Sequence, residues 1–236
     1  GGGAGGGGGG GGGDGGGDTQ VSSGLGEAVD ELIKDFPYIE SLLKSFYANK
    51  FSLTFADLGS LSGLRNTLGN IQINENYRDS PMAVFMTLVH ELSHFERPVT
   101  FESYPTRDVY INDYLTGEGY ALIAQMNVID QLVAQGKSLE GYNFIGDEQL
   151  RNQMNSIHDK IGISLSEAEA ARQIGNLYGN IINGNTGQSI RDDYGSAWDS
   201  DSNNPHINQN SGNPGNGGPG NGGPGGQGDD GIYNMN

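Results

Sequence analysis

Two histidines bracket a glutamate in the stretch TLVHELSHFE, placing His90, Glu91 and His94 within five residues. On a helix, residues four apart lie on one side, so His90 and His94 project together and can hold one ion. Neutral imidazoles suit zinc, and the ion acidifies a water into a nucleophile near neutral pH. Glu91 falls beside that stripe, where it can take the water's proton and pass it to a leaving amine. With 4 histidines and 12 glutamates in 236 residues, a random shuffle yields this pattern about three times in a thousand. The competing account is two polar residues on an otherwise buried helix. It is disfavoured because buried imidazoles cost free energy unless their nitrogens find partners.

The spacing downstream points to Glu118, 24 residues past His94, as the third ligand. That distance lets one helix end, a loop turn back and a second helix approach. Glu118, Leu122, Met126, Ile129 and Val133 follow one helical face, so the carboxylate lies in line with apolar residues and needs compensation. Gly117, Gly119 and Ala121 are small enough to let two helices come close. A first-turn glutamate favoured by the helix dipole is the alternative, although such a residue should face solvent. Asp113 is the second candidate for the third ligand. His158, in a polar helix, and His206, in the tail, read as solvated residues.

The elements that must carry these groups are legible in outline. Ser80 suits an N-cap, Pro81 the first helical position and Pro98 a stop, so the histidine motif sits on a helix. Before it, Val29, Leu32, Ile33 and Phe36, then Ile39, Leu42, Leu43 and Phe46, imply two short helices separated at Pro37. FSLTFADL and NIQINENY alternate like half-buried strands, and GSLSGLRNTLGN between them reads as turns. A long helix through Glu118 should end near Gly136. Two further helices are expected in DEQLRNQMNSIHDKIG and in SLSEAEAARQIGNLYGNIING, the latter opened by a Ser166/Glu169 capping box. The order gives an α+β fold, a small sheet packed on the histidine helix with a mostly helical part behind it.

Composition frames this domain. Of 42 glycines, 17 lie in Gly1–Gly26 and 11 in Ser211–Asn236, which divides the chain into a glycine-rich flexible linker over 1–24, a folded domain over 25–200 and a disordered tail over 201–236. The tail repeats GNGGP and ends in GIYNMN, which could be a short docking tag. A net charge of −17 argues against nucleic acid or an anionic membrane as partner. No apolar run is long enough to span a bilayer. Cysteine is absent, which excludes disulfides and thiolate metal sites.

The His90-Glu91-x-x-His94 motif, followed by Glu118-Gly-x-Ala121, resembles the gluzincin branch of zinc metallopeptidases over about Phe51 to Gly136. The metzincin pattern is excluded by Arg97 and Thr100. The resemblance implies a zincin-like fold, His90, His94 and Glu118 as zinc ligands, Glu91 as general base and a strand, here NIQIN, whose edge holds an extended peptide. The chain departs from thermolysin-like enzymes at Leu122, where they carry an aspartate that orients a ligand histidine. Tyr110, Tyr114 and the Arg191/Tyr194 pair are open candidates for stabilising an oxyanion.

A compact domain behind a glycine tether also resembles metallopeptidase domains of bacterial polymorphic toxins and secreted effectors. That likeness implies secretion or delivery into a target cell, a protein substrate and a cognate immunity protein. A self-processing or housekeeping zinc peptidase, and a non-enzymatic binding module with structural histidines, are the alternative expectations.

Overall fold

Why the histidine helix is buried follows from what surrounds it. The computed structural model describes residues 21–66, 68–95, 104–200, 204–206 and the backbone of 230–233. The first arm up to residue 20, the Arg97–Thr100 stretch and most of the tail lie outside the described residues. Among those described, an α+β fold is formed by seven α-helices and a small mixed sheet.

Helices α1 (Glu27–Lys34) and α2 (Pro37–Ala48) bury Val29, Ile33, Ile39, Leu42, Leu43 and Phe46, the face expected from their spacing. Pro37 opens α2 at a position where the missing N–H is not needed. Strands β1 (Leu53–Ala56) and β3 (Ile71–Asn74) pair in parallel. Between them in sequence lies a strand that the turn-like composition hid: β2 (Leu61–Arg65), antiparallel to β3. β3, the NIQIN strand, is therefore central rather than an edge, since both of its sides are paired, and it has none to offer a peptide. The free side of β2 is joined by a distant strand, β4 (Asp230–Tyr233), giving the order β1-β3-β2-β4.

Helix α3 (Pro81–Phe95) runs beneath this sheet, buried along nearly its whole length. Pro81 is its first residue, as expected. Ser80 contributes differently from a side-chain cap: its carbonyl accepts from Val84 N at 3.0 Å and its hydroxyl donates to the Gly141 carbonyl at 3.0 Å. Helix α4 (Arg107–Ala134) follows, capped by Thr106. It closes at Gly136, whose φ of 70° and N–H donating to Val133 O end the helix in a left-handed turn. Leu122 and Met126 are buried on it, but Val133 is 59 % exposed, so the expected face fails at its far end. Fifteen residues at about 100° each overshoot four turns by about 60°, which carries Val133 off the stripe.

Helices α5 (Glu148–His158) and α6 (Glu167–Tyr178) lie where the sequence placed them. Ser166 accepts from Glu169 N at 3.2 Å, while the Glu169 carboxylate turns outward to Arg172 and Gln173, leaving half of the capping box. The last helix, α7 (Ile190–Ser200), was not foreseen; Ile190, Tyr194 and Trp198, four apart, were its signal.

The apolar residues form two clusters. One gathers α1, α2, the sheet, α3 and the last turns of α4; the other gathers the first two-thirds of α4 with α6 and α7. The contact between α4 and α6 is so close that backbone touches backbone. A Cβ on Gly119 would lie 1.9 Å from Ala171 O, and one on Gly175 would lie 1.7 Å from Leu115 O. The pairing of Leu115 with Gly175 and Gly119 with Ala171 runs in opposite chain directions, so the two helices are antiparallel.

Candidate metal centre

His90 and His94 leave α3 one turn apart on the side facing α4 and meet Glu118 from the fourth turn of that helix. His90 Nε2 lies 3.1 Å from Glu118 Oε2 and 3.0 Å from His94 Nε2, and His94 Nε2 lies 3.6 Å from Glu118 Oε1. All three residues are buried, at 0, 8 and 1 % exposure. Two imidazole nitrogens and a carboxylate thus aim their lone pairs at one small volume, a convergence that a proton or a cation must relieve. A tetrahedral divalent ion with bonds of about 2.0–2.1 Å requires donor atoms about 3.3–3.4 Å apart. The two histidine nitrogens and the Glu118 oxygen nearest each lie close to that spacing, so the trio could hold a metal ion.

The charge states favour the same reading. Burial pushes the Glu118 carboxyl up, but the neighbouring His94 and His90 outweigh it and hold the group well below the usual carboxylate range. Burial dominates at His90 and lowers its pKa against the opposing pull of Glu118, so the ring stays neutral. An anionic carboxylate beside a neutral imidazole is the pair of forms that binds a cation.

Three further residues shape the centre. Tyr194, from α7, donates its hydroxyl to Glu118 Oε1 at 2.5 Å from a buried position. Among the open tyrosine and arginine candidates, Tyr194 bonds a member of the trio. Tyr110 and Tyr114 stack on each other with centroids 4.4 Å apart, and Arg191 binds Asn112 and Asn176. Gln125, two turns beyond Glu118, is buried at 2 %, donates to Met86 O at 2.9 Å and ties α4 to α3 beside His90. Leu122, at the position where thermolysin-like enzymes carry an aspartate, lies fully buried in the core. Gly63 of β2 sits directly on Glu91 and Thr87: a Cβ there would lie 2.8 Å from Glu91 Oε1 and 2.5 Å from Thr87 Cγ2.

The remaining sequence candidates lie elsewhere. Asp113 is exposed and accepts from the Tyr104 hydroxyl at 2.6 Å. His158 bonds Asn127 at 2.9 Å, and His206 stacks on Trp198, so neither ring is simply solvated. A cleft of about 750 Å³ continues along the histidine face of α3, lined by Thr87, Ser62, Asn74, Tyr77 and Phe144. A larger one of about 1030 Å³ lies between α5 and α6, and neither cleft is lined by a residue of the trio.

The Tyr194 hydroxyl is charge-assisted and removes one lone pair of Glu118 from competition, fixing the other oxygen toward His90. Tyr194→Phe keeps the ring, which packs on Tyr114 at 5.2 Å. We expect it to fold normally and to lose metal affinity about 10-fold, measured by competition with a chromogenic chelator. Unchanged affinity would mean that the hydroxyl does not position the ligand.

Comparison with protein-family models, with curated proteins and with solved structures gives no match.

Proposed function

We propose that His90, His94 and Glu118 hold a zinc ion and that the chain is a zinc-dependent endopeptidase with Glu91 as its general base. The observation that carries this reading is the convergence of three side chains from two helices, with Glu118 24 residues past His94 in the sequence. Two imidazoles and one carboxylate without thiolates are the donor set of hydrolytic zinc sites that keep a coordination position open. An ion there would act as a Lewis acid toward a carbonyl oxygen and lower the pKa of water. Glu91, one residue from His90 and buried against Gly63, is the group to accept that water's proton and return it to the departing amine. The same donor set also serves iron in oxygen chemistry. The glutamate between the histidines favours hydrolysis, because an oxygenase has no use for a base at that place.

Two measurements test the reading. Metal content by mass spectrometry should give one zinc per chain. Glu91→Gln should keep that zinc and lower peptide hydrolysis by on the order of 10²–10⁴-fold. Zinc-free, well-folded protein after zinc addition would return the histidines to a structural role and the domain to a binding module. Iron in place of zinc would remove the peptidase reading.

Delivery as an effector is part of the same proposal and is supported only by the glycine-rich arm. Its check is growth arrest on intracellular expression of the wild type but not of Glu91→Gln.

A further inference from the structure

The edge of β2 carries a tenant from the far end of the chain. Asp230–Tyr233 adds to it antiparallel, with Leu61 opposite Tyr233, Leu64 opposite Gly231 and Arg65 opposite Asp230, and an irregularity between Leu61 and Leu64. That irregularity contains Gly63, the residue that touches Glu91. β4 also runs alongside α3. An exposed strand edge is a template for any extended peptide, and main-chain hydrogen bonds make the fit largely independent of side chains.

A second observation points the same way. His90, Glu91, His94 and Glu118 are 0, 0, 8 and 1 % exposed. A centre so enclosed admits no polypeptide until something covering it moves. Residues 207–229, the 23 positions between His206 and β4, are rich in Gly, Asn and Pro. On the β2 side β4 is the outermost strand, whereas displacing β2 or β3 would break pairings on both sides.

We infer that β4 is a cover acting in cis: the chain's own Asp230–Tyr233 occupies the β2 edge at which an extended segment of another protein docks, so tail and incoming peptide compete. The docking rests on strand pairing alone. The consequence for catalysis rests on the peptidase reading. Tethering raises the tail's local concentration to about the millimolar range. A peptide in trans must therefore be plentiful, or pair better, to take the edge.

The test compares the full chain with a chain ending at Gly228. The probe is a fluorescent peptide of the sequence DDGIYNMN, followed by anisotropy. Saturable binding is expected to the shortened chain, and at least about 10-fold weaker binding to the full chain because the tether holds the site. The same peptide carrying Ile232→Pro, which lacks a main-chain donor and resists strand geometry, should not bind. Equal binding to both chains, or none to the shortened chain up to about 1 mM peptide, would overturn the proposal. Metal content of both chains is read in parallel. Discriminating peptide binding by a zinc-free chain would keep the docking and sink the peptidase. Zinc-loaded chains that do not discriminate would do the reverse.

Discussion

Glu118→Ala should abolish stoichiometric metal binding, lowering affinity by on the order of a thousand-fold or more. Removing a partner that merely supports a ligand costs about 10–100-fold, and Glu118 supplies the only carboxylate among the three converging residues. The remaining imidazoles, 3.0 Å apart at their Nε2 atoms, keep their convergence but lose the anion that offsets the ion's charge. The Tyr194 hydroxyl loses its acceptor as well. Glu118→Gln separates the two losses: the amide keeps an oxygen for Tyr194 and the volume of the side chain, but not the charge. Both variants should be zinc-free after dialysis, with wild-type circular dichroism confirming the fold. Zinc retained at one per chain in Glu118→Ala would show that the ion is held elsewhere.

Gly175→Ala should destabilise the fold by about 3 kcal/mol. The added methyl would lie 1.7 Å from Leu115 O and 2.5 Å from Leu115 C, both backbone atoms that no rotamer change can move. The helices must separate, and the gain in helix propensity, about 1 kcal/mol for Gly to Ala, offsets only part of the cost. For a domain of this size the loss corresponds to a Tm lowered by about 6–12 °C. Gly117→Ala supplies the control: it lies on the same α4 but meets nothing within 4 Å. It should be neutral or stabilising by up to about 1 kcal/mol. Parallel thermal melts decide the matter, and equal Tm values for the two variants would refute the backbone contact. Because Gly119 and Glu118 are adjacent, a forced separation of α4 from α6 should also shift the ligand.

What the sequence disclosed depended on distance along the chain. His90, Glu91 and His94 announce themselves because helical spacing turns five residues into a site, and Glu118 because a charge in an apolar stripe needs a reason. Tyr194 was one open candidate among several. It is 76 positions from Glu118, on a helix whose polar residues and Gly195 conceal its period. β2 was hidden for a related reason: LSGLR buries three consecutive residues, so it lacks the alternation of a half-buried strand, and Gly63 looks like a turn until Glu91 is placed across from it. Mistaking β2 for turns made NIQIN look like an edge. Val133 shows the opposite failure, a correct face extended past the point where helical drift and the end of the core dissolve it.

The two apolar clusters give the centre a role beyond chemistry. His90 and His94 stand on a helix whose apolar neighbours belong to the first interior, and Glu118 stands on the part of α4 buried in the second. Neither half alone possesses a complete set of donors. An ion bound there is consequently a rivet between two bodies of packing: its binding free energy is also the free energy of keeping them in register. Local openings that would otherwise loosen one half at a time must then break the same joint.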